Sequence, residues 1–394
     1  MVNSEMYRLG SAPSAIRELF EYGKKLKNER GEENVFDFSL GNPSTPPPRN
    51  VLDEMEKILS ESDPCALHGY SSAQGDLSVR RAIADDLSRR YGAKISPEKI
   101  YMTCGAAASL CIAIRALVCG ENDEFIVQAP YFPEYKVFVE NNGGKLFVAE
   151  ADTVNFELNI AEIEKLINER TQGIIINSPN NPSGVIYGEK SLSELASLLT
   201  KKSKEYGHPI YIVSDEPYRE LTYGKKVPYI PDIYPDTVIC YSYSKSLSLP
   251  GERIGYIALP DGISGIDELY YAVCGAGRSL GYVCAPTFMQ KLVGACTGQV
   301  SDLSVYRKNR DDLYAALTVM GYSCVVPDGA FYLFVKAPGG DAVKFSEKAK
   351  ELGLLLVPGD GFGCPGYLRI SYCVSEETVR RSLPAFGRAI DLFV

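Results

Sequence analysis

Short, nearly unbroken apolar segments recur from about Asn50 onward, and helix-length stretches separate most of them. No other feature limits the folds open to this chain so strongly. Strands are expected at Ile100-Cys104, Glu124-Gln128, Lys145-Ala149, Gly173-Asn177, Ile210-Ser214, Val238-Tyr241 and Ile254-Leu259. A strand covered on one face alternates apolar with polar residues, whereas a strand covered on both faces can be apolar throughout. The pattern predicts an α/β fold with a largely parallel sheet flanked by helices. Ser78 to Tyr91, stopped by Gly92, is one amphipathic helix of that set. After Gly294 the pattern changes to a long helix, about Ser301 to Met320, then Phe331-Val335, another helix, Leu354-Val357 and Leu368-Cys373. A second, smaller α+β domain is expected there. A polar-faced helix from about Ser14 to Arg30, ended by Gly31, opens the chain, and the proline-rich loop Gly41 to Pro48 marks a boundary. The expected division is a large domain over 45-294 and a small one built from 1-44 plus 295-394.

With 394 residues, 45% of them hydrophobic, the chain can bury a large core. A net charge of -9 without any lysine- or arginine-rich block argues against binding nucleic acid or anionic lipid, so an anion must be held locally. Met1 to Gly10 does not resemble a secretory signal, and the longest apolar runs, Leu352 to Pro358 and Gly173 to Ile176, are far too short to span a membrane. A cytoplasmic location is the default expectation. The 11 cysteines include no C-x-x-C pair and the only histidines are His68 and His208, so neither a disulfide framework nor a metal site is expected.

In open parallel sheets, ligands bind beyond the carboxyl ends of the strands. The unusual loops fall there. Gly105-Ala106-Ala107-Ala108, Pro130-Tyr131-Phe132-Pro133, Asn177-Ser178-Pro179-Asn180-Asn181-Pro182, Asp215-Glu216-Pro217-Tyr218 and Ser242-Tyr243-Ser244-Lys245 each close a predicted strand. Together they make one site.

From about Phe38 to Tyr372 the chain resembles the class I and II aminotransferases of the large fold-type-I pyridoxal-phosphate family. Ser242-x-Ser244-Lys245-x-x-x-x-x-Gly251-x-Arg253-x-Gly255 resembles the signature of that family's Schiff-base lysine. Asn177-x-x-x-Asn181-Pro182-x-Gly184, Asp215-x-x-Tyr218 and Arg369 in Leu368-Arg369-Ile370-Ser371 follow in the family's order at similar spacing. The resemblance implies an aspartate-aminotransferase-like fold, pyridoxal 5'-phosphate as cofactor, and transfer of an amino group from an L-amino acid to a 2-oxo acid such as 2-oxoglutarate.

The chemistry accounts for the residue types. Lys245 would hold the cofactor as a Schiff base and then shuttle a proton, which requires a neighbouring cation or burial to lower its pKa. Asp215 would keep the cofactor's ring nitrogen protonated, although an aspartate after a strand also serves as a helix cap. Tyr218 and Asn181 would bond the phenolic oxygen. Backbone amides of Ala106 and Ala107, with the side chains of Ser242 and Arg253 and Ser244 as a further candidate, would take the phosphate. Phe132 stands where the family stacks an aromatic ring on the cofactor, and Tyr131 is the alternative. Tyr70, in Gly69-Tyr70-x-x-x-x-Gly75, matches the position from which family members reach the neighbour's phosphate, which implies a homodimer with shared active sites. Arg369 would fork onto the substrate α-carboxylate, with Gly41 and Asn42 closing over it.

Some bacterial aspartate-specific relatives carry a lysine where Ala107 stands, so one receptor for a side-chain carboxylate is missing. Arg278, eight residues before Pro286, lies close to where other dicarboxylate-specific members place a cross-dimer arginine and is the remaining candidate. Gly361-x-Gly363-x-x-Gly366 fits a dinucleotide fingerprint formally, but Pro365 interrupts it and a strand follows, so it is rejected. The same cofactor constellation also serves carbon-sulfur β-lyases. A non-catalytic regulator sensing pyridoxal phosphate or an amino acid is a third reading; the missing helix-turn-helix pattern and the retained Lys245 and Asp215 speak against it.

Overall fold

The computed structural model describes residues 1–11 and 15–393. Ser14, where the first helix is expected to begin, lies outside them; that helix runs over Ala15–Arg30 and is preceded by another at Ser4–Ser11. The strands are β1 (Phe36–Asp37), β2 (Ile100–Thr103), β3 (Glu124–Gln128), β4 (Lys145–Ala149), β5 (Thr171–Asn177), β6 (Tyr211–Asp215), β7 (Thr237–Ser242), β8 (Gly255–Ala258), β9 (Ser323–Cys324), β10 (Tyr332–Lys336), β11 (Leu354–Leu355), β12 (Val357–Pro358) and β13 (Tyr367–Ser371).

A 7-stranded sheet has the order β2-β8-β7-β6-β5-β3-β4. Neighbours from β7 to β4 are parallel, and β8 alone runs against both β7 and β2. The reversal follows from the connection: Ser242 and Gly255 face each other across β7 and β8, so the chain turns back on itself instead of crossing over a helix. Residues consecutive along β5 serve opposite layers. Ile175 packs with Leu110, Ile114 and Val213 on one face, while Ile174 and Ile176 pack with Leu192, Leu195 and Ile212 on the other. That double cover is why the strand is apolar throughout.

Because β4 and β5 flank β3 on opposite sides, the strand order reverses at β3 and a crevice opens at the carboxyl ends there. The edge strand β2 also reaches the crevice, through the helix Ala106–Leu117, which packs across β6, β7 and β8. Its start is tight. Gly105 has φ 93°, and a Cβ on Gly255 would run into the Tyr241 carbonyl oxygen and lie 2.9 Å from Gly105 Cα. Two glycines thus let the turn after β2 press onto β8.

A 4-stranded antiparallel sheet, β12-β13-β10-β9, lies in the last third of the chain, and β1 pairs in parallel with β11. The single strand expected over Leu354-Val357 is therefore two. Leu354 and Leu355 pair with β1, Val357 and Pro358 pair with β13, and between them the Leu356 carbonyl accepts a hydrogen bond from Ser346 Oγ at 2.8 Å. Phe38 joins Phe331, Leu354, Ile370 and Phe386 in one core, so the start of the chain is tied to its end. Among the described residues no helix is long and apolar enough to cross a membrane.

The close approach at Gly255 yields a stability prediction. Gly255→Ala should cost roughly 1–3 kcal/mol by overpacking the β7–β8 turn, read as a lowered thermal unfolding midpoint. An unchanged midpoint would mean that the turn has room to spare.

Candidate active site

The loops after β2, β3, β5, β6 and β7 converge on a cavity of about 270 Å³, a size suited to a small molecule. Four of its walls are charged side chains: Lys245, Arg253, Arg369 and Asp215. The excess of cations is local, in a chain whose net charge is -9.

Lys245 sits on the short helical turn Tyr243–Ser246, which Ser242 caps by accepting from the Ser244 amide at 3.2 Å. Its Nζ donates to the Gly41 carbonyl at 2.6 Å and lies 5.5 Å from the Phe331 ring centre. Burial lowers its pKa to about 8; the Arg253 and Arg369 guanidinium groups push the same way and the Cys373 thiol opposes them. The amine is therefore far easier to uncharge than an ordinary lysine.

Asp215 ends β6. Its Oδ2 accepts from Tyr135 Oη at 2.6 Å and from Asn177 Nδ2 at 3.4 Å, while Oδ1 is buried with no hydrogen-bond partner in the protein. Burial raises its pKa to about 7, against the Tyr135 hydrogen bond and with help from Glu216. A buried acceptor left open in this way calls for a donor from a ligand.

Arg369, on β13, is 2% exposed. It donates through Nη1 to Asn181 Oδ1 at 3.0 Å and through Nη2 to the Ser39 carbonyl at 2.5 Å, between the rings of Tyr332 and Phe362 with centres 4.8 and 4.9 Å away. Its Nε is buried and unpartnered, and burial lowers the guanidinium pKa. Tyr218 is buried edge-on to Phe331, its hydroxyl 2.7 Å from that of Tyr332.

The opposite corner could take an anion. Gly105 caps the helix Ala106–Leu117 without a side-chain bond, so its first amides are open, and Ala106 and Ala107 line the cavity. The hydroxyls of Ser242 and Ser244, 2.8 Å apart, border it as well. Arg253, held at φ 51° with Nη1 donating to the Pro250 carbonyl at 2.9 Å, lies against Gly105 so closely that a Cβ there would come within 3.1 Å of Nη2.

Phe132 lines the cavity, whereas the Tyr131 ring packs beside Gly363 and its amide donates to the Phe362 carbonyl at 3.1 Å. Gly41 also borders the cavity. Asn42, Tyr70 and Arg278 do not line it; all three are exposed, Tyr70 at 94%. The structure adds residues that sequence reasoning missed. Tyr135 bonds Asp215, Tyr332 bonds Tyr218, and Ile16 and Leu40 close one wall. Tyr135 stands three residues past Phe132, but nothing in the sequence singles it out until β6 is placed beside it. Among the described residues no cluster of three or more His, Cys, Asp or Glu could hold a metal ion.

The sequence profile of the family described as aminotransferase class I and II matches residues 33–386. The chain is 30% identical to an aspartate aminotransferase of Thermotoga maritima, covering 89% of this chain and 90% of that protein. It is 28% identical to aromatic-amino-acid aminotransferase 2 of Thermococcus litoralis over 96% of each. Among solved structures it superposes with a TM-score of 0.98 on an amino transferase from Eubacterium rectale, at 55% identity over 100% of this chain and 99% of that one. The aspartate aminotransferase of Thermus thermophilus with maleate gives a TM-score of 0.87 at 26% identity over 99% of each. Profile, relatives and fold agree with the chemistry of the cavity: this chain belongs to the class I and II aminotransferases and is a pyridoxal-phosphate-dependent transaminase.

Proposed function

We propose that the enzyme moves the amino group of an L-amino acid to a 2-oxo acid, 2-oxoglutarate foremost, and that Lys245 is the residue bonded to the cofactor. One observation carries the reading: a lysine with a lowered pKa shares a cavity with a buried carboxylate whose Oδ1 has no partner and an arginine whose Nε has none. Pyridoxal phosphate fits that donor set. A protonated ring nitrogen would satisfy Asp215 Oδ1, and a phosphate would take the amides of Ala106 and Ala107, the hydroxyls of Ser242 and Ser244, and Arg253. When bound, the cofactor supplies an aldehyde to capture the amine and a ring to withdraw electrons from the substrate Cα.

The protein's own groups do the rest. Lys245 Nζ, with its lowered pKa, would act as the base that takes the substrate Cα proton and as the acid that gives it back. Asp215, braced by Tyr135, would hold the cofactor's ring nitrogen in its protonated form. Tyr218, Asn181 and Phe132 also line the cavity; the first two would bond the cofactor's phenolic oxygen and the third would lie against its ring. Arg369 turns its free Nε edge to the substrate carboxylate, with Gly41 and Asn42 closing over it. Tyr70, on the surface of its own chain, reaches the phosphate site of a second copy, so the working unit is a homodimer with shared sites. Arg278 is our candidate for a side-chain carboxylate, again across the dimer. The small domain, 1–44 plus 295–394, closes on the large one, 45–294, to exclude water. A cytoplasmic location belongs to the same reading. Relatives named for aspartate and for aromatic amino acids match about equally well, which supports the broad statement of an L-amino-acid donor.

Four outcomes are expected. Lys245→Ala should lose on the order of 10³-fold or more in turnover, and borohydride should fix cofactor to the Lys245 peptide in the wild type only. With glutamate and a 2-oxo acid the wild type should form a new amino acid; release of ammonia and pyruvate from a cysteine conjugate without one would point to the β-lyase instead. Arg369→Lys should raise KM for the amino acid roughly 10- to 100-fold while changing kcat less, because ammonium cannot fork onto a carboxylate. The fourth concerns pH. A lysine whose pKa is lowered to about 8 gains its reactive free amine as pH rises through 8, not through the ordinary value of 10.5. Attachment of pyridoxal phosphate to the cofactor-free protein should therefore speed up to about pH 8 and then level off. A rate that climbs steadily to pH 10 would contradict the burial argument.

A further inference from the structure

The loop that brings Asp215 and Tyr218 to the cavity sends its other side chains elsewhere. Glu216 pairs with Arg219, and Glu220 joins an ionic cluster with Asp86 and Arg90 of the helix Leu77–Tyr91. The Glu216, Arg219, Asp86 and Glu220 side chains are only 3%, 2%, 4% and 7% exposed. Buried ion pairs seldom repay their desolvation in stability.

Its hydrogen bonds lead to the lysine turn. Arg90 Nη2 pairs with Asp86 Oδ2 at 2.7 Å and Nη1 donates to Glu220 Oε1 at 2.7 Å. On its other oxygen, Oε2, Glu220 accepts from Tyr241 Oη at 2.8 Å, and the same hydroxyl lies 2.9 Å from Ser246 Oγ. A phenol has one proton. With that proton given to the carboxylate, Tyr241 Oη can only accept, and Ser246 must donate. Burial, and then the Glu220 charge, hold the Tyr241 phenol far above its ordinary titration range, so the proton stays. The Tyr241 ring is itself clamped, stacked on Tyr256 at 4.9 Å and edge-on to Tyr243 at 5.1 Å. The Ser246 carbonyl meanwhile accepts from Ser301 N at 2.7 Å and Ser301 Oγ at 3.1 Å. Ser246 is thus held at both side chain and backbone, one residue from Lys245.

We propose that Glu220, Tyr241 and Ser246 form a positioning relay, in which the Glu220 carboxylate fixes the direction of two hydrogen bonds and so the place from which Lys245 acts. The inference rests on the reading of Lys245 as the cofactor-bonding residue. Glu220 lies in the same loop as Asp215, so one anchor sets the lysine relative to the aspartate. Glu220→Gln isolates the effect of direction. Arg90 can only donate, so the amide oxygen must face it and the amide NH₂ must face Tyr241; the phenol then turns to donate toward Ser246, whose own proton loses its acceptor.

The test uses the pyridoxal-phosphate-loaded enzyme with Glu220→Gln, Tyr241→Phe, Ser246→Ala and the double variant Tyr241→Phe/Ser246→Ala. The measurements are kcat, KM, the thermal midpoint and the pH midpoint of the visible absorption band. A relay predicts kcat down about five- to tenfold in each single variant. KM should stay within about twofold. The band midpoint should move in all, and the double variant should be no worse than Tyr241→Phe alone. Strictly additive losses, or a fallen thermal midpoint with kcat and band unchanged, would reduce the cluster to a structural support and overturn the proposal. Borohydride fixation in the wild type separates the two levels. Label on another residue sinks the reading of Lys245 and the relay with it, whereas label on Lys245 with an unmoved band in the variants sinks the relay alone.

Discussion

Keeping an amine and a carboxylate from water inside one cavity constrains everything around them. Solvent would hold Lys245 charged and Asp215 ionised across the neutral range; burial brings the first down to about 8 and the second up to about 7. Each group then sits within reach of its midpoint, where a small change in partner decides its charge. Such groups cannot be left loose, because an unpaired polar atom in a dry site is expensive. The surroundings answer with fixed contacts: Tyr135 and Asn177 on Asp215, Gly41 on Lys245, Asn181 and Ser39 on Arg369.

The sheet supplies the rigidity those contacts need. Parallel strands bury both faces and end in loops at one edge, so the residues that differ most in chemistry sit on the least mobile backbone available. The exception, β8, serves the same end. By doubling back at Gly255 it holds the lysine turn between two strands, and the tight fit against Gly105 brings the helix start and Arg253 to the same corner.

Much of this was legible in the amino-acid order, for reasons that differ by residue. The apolar run of β5 is readable because two layers need it, and Lys245 because the residues around it resemble the lysine signature of a known family. The direction of β8 was not, since an apolar strand looks alike whichever way it runs. Nor was the break at Leu356, which depends on a serine ten positions earlier reaching its carbonyl. Tyr135 illustrates the general limit. Its function arises from a hydrogen bond across 80 positions of sequence, and a single chain read in order carries no mark of such a pairing.

The splitting of that C-terminal strand has a mechanical corollary. Phe36 and Phe38 donate to the Gly353 and Leu355 carbonyls, and the Phe38 carbonyl accepts from Ser371, so residues 36–38 are laced to both β11 and β13. Three positions beyond Phe38 stands Gly41, whose carbonyl receives the Lys245 proton donor, and two before Ser371 stands Arg369. The guanidinium and the lysine's acceptor therefore ride on one laced unit. Were a carboxylate to dock on Arg369 and displace that unit, the Gly41 carbonyl would be drawn with it, and linkage would make the effect reciprocal: anion affinity at Arg369 and proton affinity at Lys245 would become two readings of a single equilibrium.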